Sequence, residues 1–108
     1  LQRALNEVRR FRKDIFPSIR PKQGMVFNTS LMDWLDLRNS LLCAEAICLA
    51  ASERKESRGA HQMEDIPFKS DKFTKNQIIS GHNGHLVSSW RAVQKLDFDL
   101  KEKSLAVV

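Results

Sequence analysis

The chain's 108 residues fit one small domain and leave little room for the machinery of a complete enzyme. With 42% hydrophobic and 29% charged residues it has the composition of a folding globular protein, which excludes a fibrous or disordered one. The net charge of +5 is local, because residues 1–22 hold seven Lys/Arg against two acids while the remainder holds eleven of each.

The first predicted element is a helix over about 1–16, where Leu1, Ala4, Leu5, Val8, Phe11 and Ile15 fall at three- and four-residue steps and make one apolar stripe. Its basic residues Arg9, Arg10, Arg12 and Lys13 suit either a solvated face or a contact with an acidic partner. No aromatic interleaving or reading motif accompanies them, so nucleic acid is not an expected partner. Pro17 and Pro21 end this helix, and the chain redirects up to Gly24.

A long helix is predicted over about 30–57. Asn28, Thr29 and Ser30 are candidate N-caps, and Asp33 is spaced to complete a capping box with Ser30. Leu31, Leu35, Leu42, Ala46 and Leu49 form one stripe, and Trp34, Leu37, Leu41, Ala44 and Cys48 form another beside it. That face is wider than a surface helix needs, so this element is expected to touch partners on two sides. Cys43 and Cys48 lie on different faces and are expected to be buried, reduced thiols. Two helices cannot close a core of this width. Either the chain assembles with itself or a partner, or it is a piece of a larger helical bundle.

Residues 67–89 read as a loop with a short helix near Phe73–Ile79, and residues 90–108 as a β-hairpin tail. In that tail Leu96, Phe98 and Leu100 alternate with Asp97 and Asp99, and "LAVV" supplies the partner strand. The uncharged stretch from Asn76 up to Arg91 is too short and too polar to span a bilayer, and no leader pattern precedes a cleavage site, so no direct membrane insertion is expected.

Catalytic motifs are missing at every place they are sought. The glycines at 24, 59, 81 and 84 form neither a dinucleotide fingerprint nor a phosphate loop, and there is no Gly-x-Ser-x-Gly elbow. His82 and His85 lack a third ligand, and the adjacent Glu64 and Asp65 cannot flank one bond as an acid and base pair. No catalytic, cofactor-binding or metal-binding residue is therefore assigned. The string "KESRGAH" at 55–61 is informative in another way: Gly59 suits a left-handed helix end, and Lys55, Arg58 and His61 suit the negative end of the helix dipole.

"NTSLMDWLDLRNSLLCAEAICLAASERKESRGAHQMED" resembles the C-terminal helical domain of the succinate dehydrogenase and fumarate reductase flavoprotein subunits, with L-aspartate oxidase and adenylylsulfate reductase as relatives. The likeness is close over about 24–66. It is looser in the first helix and in the Trp90-Arg91 segment. It implies a mainly α fold, a spectrin-repeat-like three-helix domain lacking its first helix, followed by a loop and a small hairpin. It also implies that FAD, the dicarboxylate-binding histidines and the proton-shuttling arginine lie outside this segment, in the parent protein or a partner chain. Glu56, Ser57, Arg58, Gly59, Ala60 and His61 then carry a structural docking role toward the FAD-binding domain, with an iron–sulfur subunit as a further partner. The implied location is the cytoplasm or mitochondrial matrix, with membrane association only through partners. The competing reading is a stand-alone helical interaction module without enzymatic activity. Ser30 stands where the family commonly has Asp, and Met63 where it commonly has Arg, which removes any ion pair made there.

Overall fold

A computed structural model describes residues 1–94. Helix α1 spans Gln2–Arg10, continues into a wide π turn over Phe11–Ile15 and tightens into a 3-10 turn over Phe16–Ser18. The change of pitch has a local cause. Pro17 has no N–H to return to an earlier carbonyl, so regular α geometry cannot run through it. The stretch thus covers the predicted extent in three pitches, ending in extended backbone at Ile19.

Helix α2 spans Thr29–Glu53. Its cap is Asn28, whose Oδ1 accepts from the Leu31 N–H at 3.0 Å. The expected Ser30–Asp33 box is replaced by another arrangement: Ser30 lies inside the helix and its Oγ accepts from the Lys22 N–H at 3.1 Å. The helix also stops four residues before the expected end, with Arg54 already extended at φ −79°, ψ 92°.

The two helices pack through Leu5, Phe16 and Leu49, the buried hydrophobic side chains among the described residues. Phe16 stacks on Trp34 with ring centroids 4.9 Å apart, and the Trp34 indole N–H donates to the Ile19 carbonyl at 3.1 Å. The stack holds the redirected chain against α2. Leu42, on the same stripe as Leu49, remains exposed, as does Ile47 on the opposite face of α2. Cys43, expected to be buried, is exposed there too, and Cys48 is half-buried; both are free thiols. The second predicted stripe, Trp34, Leu37, Leu41, Ala44 and Cys48, is half-buried.

The fold is mainly α with an antiparallel hairpin, which occupies residues expected to form a loop. A three-residue 3-10 turn at Asp71–Phe73 takes the place of the short helix, and strands β1 (Lys75–His82) and β2 (His85–Ala92) follow. Asn83 and Gly84 join them with φ of 47° and 77°, the pair of left-handed residues that a two-residue hairpin turn demands. Leu86, Ser88 and Trp90 make the half-buried face of β2, opposite Gly81, Ile79 and Gln77 in the ladder. The strand expected at Leu96–Leu100 and its "LAVV" partner lie outside the described residues.

Candidate functional site

Beyond Glu53 the chain runs extended, so alternate side chains point to the same side. That spacing brings Arg54, Glu56 and Arg58 together. Glu56 has no exposed surface. Its Oε1 accepts from Arg54 Nη1 at 2.7 Å and Arg58 Nε at 2.9 Å; its Oε2 accepts from Arg58 Nη2 at 3.1 Å and the Ser70 N–H at 2.9 Å. Four donors fill the lone-pair sites a carboxylate offers.

These bonds fix the charge. The Arg58 hydrogen bonds foremost, against the desolvation that pushes the other way, hold the Glu56 carboxyl down at about 2 from an ordinary 4.5; the Ser70 N–H and Arg54 add to the lowering. Glu56 in turn raises the Arg58 guanidinium. A carboxylate this acidic and this fully bonded has no lone pair to take a proton and no proton to give, so the cluster is not built for acid–base catalysis.

The same arginines reach the hairpin. Arg54 donates to the carbonyls of Phe73 at 2.9 Å and Lys75 at 3.2 Å, and its guanidinium lies 4.9 Å from the Trp90 ring centroid. Arg58 Nη2 reaches the Ser70 carbonyl at 3.2 Å and Thr74 Oγ1 at 3.1 Å. Phe73 and Trp90 complete the seam at 5.4 Å. One buried carboxylate thus orders two cations, and these tie the helix exit to the start of β1.

Ser57, pointing the opposite way, anchors the following loop. Its hydroxyl donates to the Ile66 carbonyl at 2.6 Å and accepts from the Met63 N–H at 2.8 Å, while its own N–H donates to the Phe68 carbonyl at 3.0 Å. The loop around Met63 is therefore fixed through backbone, whatever side chain stands there. Gly59 does not end the helix as expected. It opens a tight turn at φ +57°, closed by Arg58 N–H to His61 carbonyl at 2.7 Å and the reverse bond at 3.0 Å. Ala60 is exposed at the tip. His61 does reach the helix end: its Nε2 lies 2.9 Å from the Arg54 carbonyl and donates in the Nε2–H tautomer. Lys55 points to solvent, and Arg58 serves Glu56 rather than the helix terminus.

Glu45 forms a second buried carboxylate, on α2. Arg9 Nε donates to its Oε1 at 3.0 Å, and Arg12 Nε sits 2.9 Å from Oε2, close enough to pair in charge but out of line for a hydrogen bond. Two of the five basic residues of the first helix, Arg9 and Arg12, are therefore turned inward. Arg10 pairs with Glu7 at 3.0 Å, and Lys13 Nζ stands 3.5 Å from His85 Nδ1. His82 and His85 flank the hairpin turn as a ladder pair. Among the described residues no three His, Cys, Asp or Glu gather into a metal-binding set.

Sequence reasoning missed Arg54, Ser70, Thr74 and Glu45. The Arg-x-Glu-x-Arg alternation was a signal for the first, readable once the chain is taken as extended after 53; the others depend on contacts distant in sequence. Over residues 1–105 the chain matches the family described as fumarate reductase flavoprotein C-term. The chain belongs to that family. This flavoprotein C-terminal segment is 35% identical over 85 residues to the 8-methylmenaquinol:fumarate reductase flavoprotein subunit of Wolinella succinogenes, covering 77% of the segment and 14% of that protein. It is 39% identical over 70 residues to a mitochondrial succinate dehydrogenase flavoprotein of Xenopus laevis, 64% of the segment and 10% of that protein. With the succinate dehydrogenase flavoprotein subunit of Rickettsia bellii it shares 38% identity over 77 residues, 71% of the segment and 12% of the relative. It thus spans about a tenth to a seventh of these relatives' length. No solved structure matches it. No helix among its described residues is long and apolar enough to cross a membrane.

Proposed function

We propose that the segment is the structural docking part of an FAD-dependent succinate dehydrogenase or fumarate reductase flavoprotein. It supports succinate/fumarate oxidoreduction, with electrons passing to an iron–sulfur subunit, and performs none of the chemistry itself. The observation that carries this reading is the imbalance of the fold. Leu5, Phe16 and Leu49 alone are buried hydrophobics among the described residues, while Leu1, Met32, Leu42 and Ile47 on the helices stay exposed. A third helix and the FAD-binding domain, from the rest of the parent or from a partner chain, would cover them. Glu56–His61 then serve as the rigid exit from α2 that holds the hairpin and loop in place for that contact.

Arg58→Ala, introduced into the natively purified assembly, tests the role. Removing one partner strands a buried charge, so the yield of flavin-bearing assembly should fall several-fold. The KM for fumarate of the surviving enzyme should not change. An unchanged yield with an altered KM would place Arg58 at the substrate and contradict a docking role.

A further inference from the structure

The loop between the helices carries a feature that the Glu56 cluster does not use. Met25, Val26 and Phe27 are 92%, 83% and 98% exposed. The loop is nevertheless clamped. Asn28 Nδ2 donates to the carbonyls of Lys22 at 2.8 Å and Gly24 at 2.6 Å, while its Oδ1 caps α2, and Ser30 Oγ holds the Lys22 N–H. Phe27 sits at φ +47°, a left-handed conformation that a bulky residue does not choose by itself. The clamp imposes it, and so fixes three apolar side chains in water at a set position relative to the start of α2.

Three consecutive large apolar side chains held this exposed mark a candidate interaction site. We infer that Met25–Phe27 is an apolar plug that seats in a socket on the FAD-bearing part of the flavoprotein, an inference that rests on the docking reading above. Two observations favour this occupant over a lipid surface. The segment spans 14% of its Wolinella succinogenes relative, so most of the surface such a protein offers lies in the other 86%. The clamp pre-shapes the tip, which lowers the ordering cost of entering a socket of fixed form and gains nothing in a fluid interface.

Methionine oxidation by dilute peroxide in the native assembly, read by peptide mass spectrometry, tests the plug. Met25 should oxidise about tenfold or more slowly in the folded assembly than in the same assembly unfolded in urea, since susceptibility follows exposure. Phe27→Asp should return Met25 toward the unfolded rate while half-buried Met63 keeps its own rate, which separates an unseated plug from an unfolded chain. Oxidation of Met25 at the unfolded rate in an assembly that retains flavin would overturn the plug and leave the docking reading standing. Absence of any flavin-bearing portion or partner would overturn both. Protection that appears only when phosphatidylserine-containing vesicles are added would overturn the socket in favour of a lipid surface.

Discussion

At Glu56 a negative charge sits out of water because two guanidiniums and one backbone N–H replace every hydrogen bond that water would supply. The carboxyl is held at about 2 against an ordinary 4.5, so the folded state binds its proton less readily than the unfolded state. The sign follows: Glu56 contributes fully above about 4.5, and its contribution is lost as pH falls from there through about 2. Glu56→Gln removes the charge and the window together. In urea titrations the variant should be less stable than the parent at pH 7, with the gap narrowing progressively as pH drops from 4.5 toward 2. A gap of constant size across that range would show that Arg54 and Arg58 do not depend on the Glu56 charge. The residue types at 54–61 were legible in the sequence, but their geometry was not. Reading α2 through to 57 puts Glu56 on the opposite helix face from Arg54, whereas extended backbone from Arg54 onward puts Arg54, Glu56 and Arg58 on one side.

Among the elements, the helices were the legible part. Apolar steps of three and four residues, the Asn28 cap and the two prolines marked both of them, while the pitch beyond Arg10, the Ser30–Asp33 box and the end of α2 differed. The hairpin at 75–92 was read as a loop for a physical reason. Its turn is Asn-Gly, a strong hairpin signal, but the flanking His82 and His85 and the serines 80, 88 and 89 make the strands polar enough to read as a loop. Ile78, Ile79, Leu86, Ser88, Gln77 and Trp90 are the half-buried strand residues, and Arg54 adds a bond to the Lys75 carbonyl and a contact with the Trp90 ring. The turn should therefore be a sensitive point. Gly84→Val places a β-branched residue at φ +77°, a cost of roughly 1–2 kcal/mol, so amide exchange across Lys75–Ala92 should rise about tenfold with α2 unaffected. Unchanged exchange in the hairpin would mean that the arginine contacts, and not the turn, set its stability.

For the whole molecule, the sequence already showed two helices with more apolar surface than they can cover for each other, and the structure locates the surplus at Leu42 and Ile47 on α2 and at the Met25–Phe27 tip. The relatives carry most of their length outside the matched region, and it is there that the docking proposal puts the cover for this surplus. The basic first helix is less available to a partner than its composition suggested, because Arg9 and Arg12 face the buried Glu45. Native mass spectrometry of the purified assembly, recording both the mass of the chain that carries Arg54–His61 and any bound flavin, tests the docking account most directly. The account predicts either a flavin-bearing chain several times heavier than 12.4 kDa or a 12.4 kDa chain in complex with a flavin-bearing partner. A free 12.4 kDa chain with no flavin-bearing companion would contradict it and favour a stand-alone interaction module.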